Sequence, residues 1–331
     1  MTKPSVAILD LVAATDTSRL SAEYRELTEG CGLLDRSERG KLALTGSGAK
    51  EFLAGQVTND TETLMPGSGC YAAFLTPKGK MLGDLRILDL GEELLLDTER
   101  VALQALFDMI RRFKIGYDVD LHKRTVECSL LSLIGPQATR IAGAEALADT
   151  EHSSVSVEIE GVRTVLVRTD VGVDILCDAS DQEVVSEALL SAGAQRVSEA
   201  AAEIVRVEHG RPRYGIDLDD TVIPQEAGLN ERAVSFTKGC YVGQETVARL
   251  YYKGKPNRRL RGLLLSEPTA PGAELSLGER VAGRLTSSVV SPRLGPIGLA
   301  LVRREAEPGA TISVGAHGVS AEVIEPPFQA R

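Results

Sequence analysis

The sequence predicts an α+β protein: a large mixed α/β region over residues 1–255, built as two interleaved subdomains, followed by a small β-barrel-like domain over 256–331. Three observations carry this. Segments of strand period and stripes of helix period intermingle up to about residue 253. Pro256 marks a change of composition, after which short alternating segments at 260–265, 281–285, 298–302 and 311–314 are punctuated by glycine and proline. A chain of 331 residues is long enough for two or three domains with a substantial core.

Each element has its own signal. Residues 41–45 alternate, with Leu42 and Leu44 on one face, and read as a strand; 48–55 reads as a short helix with Ser47 as N-cap. Residues 71–75 and 81–90 read as two strands joined by the turn Pro77-Lys78-Gly79. A long amphipathic helix follows, with Val101, Leu106, Met109, Ile110 and Phe113 on one stripe, cations at its C-terminal end and Gly116 as its stop. A strand over 126–134 and a helix over 136–147 come next. Segments 155–160 and 162–168 flank Gly161 as a hairpin, and 173–177 is a further strand. Ser180-Asp181-Gln182-Glu183 has the form of a capping box opening a helix that ends at Gly193, and Ser198 caps the helix running into Arg206 and Glu208.

Composition narrows the function. The net charge of −10 disfavours broad nucleic-acid binding. No run of 18 apolar residues exists, so no membrane span is expected, and Met1 to Ala14 lacks the pattern of a secretory signal; a cytoplasmic location is expected. The five cysteines, 31, 70, 128, 177 and 240, are scattered and odd in number, which opposes a disulfide framework, and without Cys-x-x-Cys no metal site is expected. Asp217, Asp219 and Asp220 read as a solvated loop or cap, since no calcium-loop spacing follows. Neither a Walker loop nor a Gly-x-Ser-x-Gly elbow is present.

The chemistry concentrates in Lys238-Gly239-Cys240-Tyr241-Val242-Gly243-Gln244-Glu245. Gly239 and Gly243 read as hinges of a shaped loop. A helix over 244–250 puts Cys240 near a helix N-terminus, and Lys238 lies two residues away; both favour a thiolate. The competing reading is a small buried apolar residue. Downstream, Arg249, Lys253, Lys255, Arg258, Arg259 and Arg261 fall in thirteen residues without an acid, against about 1.5 expected from the chain average. Such a patch suits a local anionic ligand or a solvated face. Asp84 lies inside a strand, where aspartate is depleted, and shares a face with Arg86; an exposed pair between the two is one reading.

The 238–245 motif, with Val-Ala-Arg at 247–249, resembles the signature of the YgfZ family, folate-binding proteins related to the T-protein of the glycine cleavage system. Gly32-Leu33-Leu34-Asp35-Arg36-Ser37, Val57-Thr58-Asn59-Asp60, Arg206-Val207-Glu208-His209-Gly210, Tyr214-Gly215-Ile216-Asp217 and Pro224-Gln225-Glu226 extend the resemblance, in order, from about residue 30 to 260. It implies three domains around a central cavity that binds tetrahydrofolate or a one-carbon-substituted form. It implies a role in assembling or maintaining iron–sulfur enzymes, including tRNA-modifying ones, with iron–sulfur client or assembly proteins as partners. Gly83-Asp84-Leu85 matches a paired-aspartate element of the T-protein, with glycine at its first position, so Asp84 is the matching carboxylate; Asp174 matches a folate-holding glutamate, one carbon shorter. Ionised carboxylates suit the amino and ring N–H donors of a pterin. Arg206 and Glu208 match an Arg-x-Glu-x-Gly element and read equally as a structural ion pair; Tyr214 stacks on a ring or fills core.

On this reading Cys240 is the functional thiol, Lys238 tunes it, and Gly239, Tyr241, Gly243, Gln244 and Glu245 shape and fix its loop at the cavity. The 249–261 cations hold the glutamate tail at its mouth, a local contact with RNA or a protein partner being the competing use. Two alternatives stand beside it: a folate-dependent aminomethyltransferase or demethylase using Asp84, and a folate-binding scaffold without chemistry.

Overall fold

The computed structural model describes residues 6–316 and 318–329, with side chains described from residue 18 onward. The sequence reading of Met1 to Ala14 falls partly on residues 1–5, outside the described residues. Two open sheets and a closed barrel make up the framework. One sheet has six strands in the order Gln195–Arg196, Gly32–Asp35, Cys128–Ile134, Gly172–Asp178, Val162–Thr169, Ser154–Ile159. The other has five, in the order Gly69–Leu75, Met81–Asp89, Leu94–Thr98, Gly40–Thr45, Asp120–Lys123. The chain starts in the first sheet at Gly32, builds the whole second sheet, and returns at Cys128, so the two are interleaved. Arg258–Leu265, Glu274–Leu277, Arg280–Ser291, Gly295–Arg303, Thr311–Val314 and Val319–Ile324 close the barrel. Among the described residues no helix is long and apolar enough to cross a membrane.

The hydrophobic core is divided in the same way. Leu42, Leu44, Phe52, Phe74, Leu85 and Ile87 fill one side of the five-stranded sheet. Leu131, Leu133, Leu166, Val173 and Ile175 fill the six-stranded sheet against the helix Gln182–Ser191. Tyr241, Val247, Leu260, Leu299 and Phe328 join the barrel to the other face of the five-stranded sheet through Ala73, Leu75 and Met81. The helix Glu199–Glu208, capped by Ser198, which accepts the Ala201 N–H, lies at the junction of sheets and barrel.

Several sequence expectations need correction. The helix expected over 136–147 is one turn, Ala138–Ile141, because Gly143 takes a left-handed conformation just beyond it. The capping box at 180–183 does not form. The extended residue that a cap needs is Asp178, and a 3-10 turn, Ala179–Asp181, leads into the helix instead. Ser47 does not cap its helix: Gly48 occupies that position, and the Ser47 hydroxyl donates to Asp118 Oδ2 at 2.6 Å. The amphipathic helix is Leu103–Phe113, with Leu106 and Ile110 buried, but Val101 lies in a preceding 3-10 turn and Phe113 at the last residue, and both are exposed.

Candidate functional site

A central cavity of about 210 Å³ opens where the two sheets meet the helix Glu199–Glu208. Its wall contains Asp84, Asp174, Tyr71, Tyr214, Arg206 and His152, among others. Asp84 comes from the strand Met81–Asp89, which pairs on one side with Gly69–Leu75 in a register that sets Ala73 opposite Asp84. Tyr71 is two residues from Ala73 and therefore shares that face. Its hydroxyl donates to Asp84 Oδ2 at 2.6 Å. Thr98, on the other neighbouring strand, donates to the Asp84 carbonyl at 2.5 Å. The glycine that precedes Asp84 has a steric cause: a Cβ on Gly83 would stand 2.5 Å from the Phe74 ring.

The Asp84 carboxyl is buried, and burial raises its pKa from 3.8 to about 6. The Tyr71 hydrogen bond opposes that rise and the Glu99 charge adds to it. The expected exposed pair with Arg86 does not exist. Arg86 instead donates to Asp97 at 2.6 Å and to Asp174 at 2.5 Å. Burial alone would raise the Asp97 carboxyl, but Arg39 and Arg86 hold it well below the usual carboxylate range. Asp174, from the six-stranded sheet, also accepts from Ser132 at 2.6 Å. Arg86 thus ties the two sheets together across the cavity, and among the described residues Asp84 has no ion pair.

Arg206 and Glu208, adjacent in the expected element, part company. Arg206 lines the cavity but is bound by Glu203, Asp217 at 2.7 Å and Ser287 at 2.6 Å, which fastens the helix to the barrel. Glu208 lines a neighbouring groove of about 900 Å³, where it accepts from Tyr24 at 3.0 Å, from Ser291 and from Arg293. Tyr214 lines the cavity and also packs between two cores, so it fills core while its ring stays beside the cavity.

The 249–261 run does not line the cavity. It spans the end of the helix Gln244–Lys253 and the start of the first barrel strand. Arg258 is paired with Glu226 and the buried Arg261 with Glu325. The cations in the wall are arginines from elsewhere in the chain: Arg36, Arg39, Arg86, Arg211, Arg213 and Arg232, together with Arg206. Each has an acidic partner.

The 238–245 loop also departs from expectation. Gly243, at φ +86°, is the N-cap of Gln244–Lys253, and a Cβ there would meet the Thr76 carbonyl oxygen at 2.6 Å, so this hinge requires glycine. Gly239 has open space around it. The Lys238 ammonium donates to the carbonyls of Ala54, Val57 at 2.8 Å and Asn59 at 3.0 Å, and lies 5.0 Å from the Tyr241 ring centre. Burial lowers its pKa to about 8. Its charge acts on the thiol of Cys70, where it opposes the rise that burial causes. Tyr241 holds the loop by burial in the core, Gln244 reaches the Gly239 carbonyl only at 3.5 Å, and Glu245 is exposed. Cys240 is exposed and is absent from the cavity wall. The loop is therefore shaped and anchored, but its sulfur faces solvent.

Tyr71, Arg232 and His152 escape the sequence reading, in which Arg86 figures only as an exposed partner of Asp84. For Tyr71 a signal existed, since counting residues across the 77–79 turn places it on the Asp84 face. For Arg232 and His152 nothing in the sequence pointed to the cavity.

The GCVT N-terminal domain family matches residues 13–238, and the glycine cleavage T-protein C-terminal barrel domain family matches residues 258–329. The chain is 30% identical over 315 residues to a putative chloroplastic transferase of Arabidopsis thaliana, covering 91% of this chain and 72% of that protein. It is 30% identical over 336 residues to an aminomethyltransferase of Geobacillus thermodenitrificans, covering 95% and 91% of the two. The crystal structure of the glycine cleavage system aminomethyltransferase T from Bartonella henselae superimposes with a TM-score of 0.84 at 24% identity, over 94% of this chain and 90% of that one, and shares the fold. The chain belongs to the glycine cleavage T-protein family.

Proposed function

We propose that the protein is a folate-dependent one-carbon transferase of the aminomethyltransferase type, with Asp84 as its working carboxyl. The observation that supports this most is the state of Asp84: buried, on the cavity wall, held by one tyrosine hydroxyl, and raised to about pKa 6. Near that pH the group exists in both protonation states, as proton transfer at a reacting nitrogen requires. The donor set suits a reduced folate: the Asp174 carboxyl for the amino and N–H edge of a pterin, Asp84 at the reacting nitrogen, Tyr214 for the flat face, and arginines for an anionic tail. Tetrahydrofolate, when bound, supplies the nitrogen that accepts the one-carbon unit. The chain's part is to bind, to orient Asp84 through Tyr71, and to exclude water from the carboxyl.

The test is formation of one-carbon-substituted tetrahydrofolate from an aminomethyl donor, alongside calorimetric titration with tetrahydrofolate. Asp84→Asn should retain binding and lose turnover. A parent protein that fails to bind tetrahydrofolate ends this reading. If Asp84→Asn turns over at the parent's rate, Asp84 is no working group; if the parent binds tetrahydrofolate but does not turn over, the scaffold alternative gains.

The 238–245 loop favours a second reading, that of a YgfZ-type cytoplasmic accessory to iron–sulfur enzymes. Its support is the combination of an exposed Cys240 with a buried anchor, Lys238, that keeps the thiol presented to partners. Under it, Cys240→Ala lowers iron–sulfur enzyme activity in cells while leaving tetrahydrofolate binding intact.

A further inference from the structure

Among the polar side chains described in the cavity wall, His152 stands apart because neither of its ring nitrogens has a hydrogen-bond partner, although the side chain is 6% exposed. The closest acid, Glu151, has Oε1 at 3.6 Å from Nε2, beyond hydrogen-bond length, and that oxygen is engaged by Arg232. Burial and the Arg86 charge lower the imidazole pKa to about 4, so the ring is neutral in ordinary buffers and carries one donor and one acceptor.

The backbone holds this ring in place at a cost. His152 has φ +69°, and the other described non-glycine residue with positive φ, Glu160, lies in a hairpin turn. Left-handed non-glycine residues are strained and gather at ligand sites. Its N–H donates to the Arg168 carbonyl at 2.9 Å, and a Cβ on Gly69 would come within 2.9 Å of the His152 carbonyl oxygen, so the strand Gly69–Leu75 presses directly on this residue. The ring lies 6.5 Å from that of Tyr71, the residue that holds Asp84. It also lines an outer pocket with Asn59 and Cys70.

We propose that His152 is a ligand-contacting, specificity-determining residue whose donor–acceptor pair reads the polar edge of a nitrogen heterocycle in the central cavity. This rests on the folate reading, under which the heterocycle is the pterin. The terminal torsion of histidine is broad, so the ring can turn a nitrogen to the cavity from its present position. A heterocycle edge with a donor beside an acceptor satisfies both unmet groups, and a hydrocarbon satisfies neither.

Calorimetric titration with tetrahydrofolate, with the melting temperature of each protein, tests this on the parent, His152→Phe and His152→Asn. Phenylalanine keeps a ring and removes both polar atoms. Its Kd should rise at least about tenfold, while its melting temperature stays level or rises, because two unmet polar groups have left the interior. Asparagine tolerates the left-handed backbone and restores a donor and an acceptor, so its Kd should fall between those of the parent and the Phe variant. Affinity falling without loss of stability is what a purely structural histidine would not produce. A Phe variant that binds within about twofold of the parent overturns the proposal. So does loss of affinity in both variants that only tracks a lowered melting temperature. If the parent binds no tetrahydrofolate, the folate reading fails and the inference with it. Tight binding by the parent and the Phe variant alike removes the inference alone.

Discussion

Asp84 and Cys240 are the two side chains with most chemistry to offer, and the molecule treats them in opposite ways. Asp84 is buried in a cavity wall, without an ion pair among the described residues, with one hydroxyl holding it and burial pushing its pKa up to about 6. Cys240 is exposed on a loop whose buried parts, Lys238 and Tyr241, are committed to anchoring rather than to the sulfur. On the proposed function the first, titrating abnormally in a hollow, is where a small molecule reacts. On the second reading the exposed thiol on its fixed loop meets a partner. The difference teaches that residue chemistry in a motif does not reveal which solvent environment the fold will give it.

The comparison breaks first at Asp84. Asp84→Asn should lower one-carbon transfer by about 10²–10⁴-fold with tetrahydrofolate affinity nearly unchanged, since a proton-transfer group is removed and the shape is kept. Cys240→Ser should leave the same rate intact. Equal losses in both variants would place the two residues in one site.

A smaller effect concerns stability. The Asp84 carboxyl has a folded pKa above its ordinary value of 3.8, so the folded state binds its proton more tightly. Its contribution to stability is complete below about pH 4 and is lost as pH rises through about 6. The cost at neutral pH reaches up to ~3 kcal/mol. Asp84→Asn should therefore gain stability over the parent as pH climbs from 4 to 7, measured by denaturant unfolding at each pH. A constant difference would mean that the carboxyl is not desolvated.

How much of this was legible can be judged from particular residues. The barrel and the Gly161 hairpin could be read because alternation and glycine–proline punctuation report half-buried strands directly. The turn at 77–79 also contained the register that brings Tyr71 to Asp84. Part of the cavity wall could not be read, because Arg232 and His152 come from segments far from Asp84 in the chain and only tertiary packing joins them. The 249–261 run misled because its charge density is real but it does not line the cavity, and within it Arg258 and Arg261 are paired with Glu226 and Glu325, which lie elsewhere in sequence.

On the loop side, Lys238→Met should cost ~2 kcal/mol, because the carbonyls of Ala54, Val57 and Asn59 lose their shared donor. The smallest effect belongs to the sulfur itself. Cys240→Ser should shift stability by less than about 0.5 kcal/mol. Thiol alkylation should modify Cys240 first, while burial raises Cys31, Cys70, Cys128 and Cys177 to about 11 to 12 and slows them. Tetrahydrofolate should not protect Cys240.

Filling the cavity separates the two regions most directly. Val171 lines it from the turn between Val162–Thr169 and Gly172–Asp178. Calorimetric titration of Val171→Trp with tetrahydrofolate should show binding abolished, with the Cys240 alkylation rate equal to the parent's. Undiminished tetrahydrofolate binding by Val171→Trp would contradict the central cavity as the folate site.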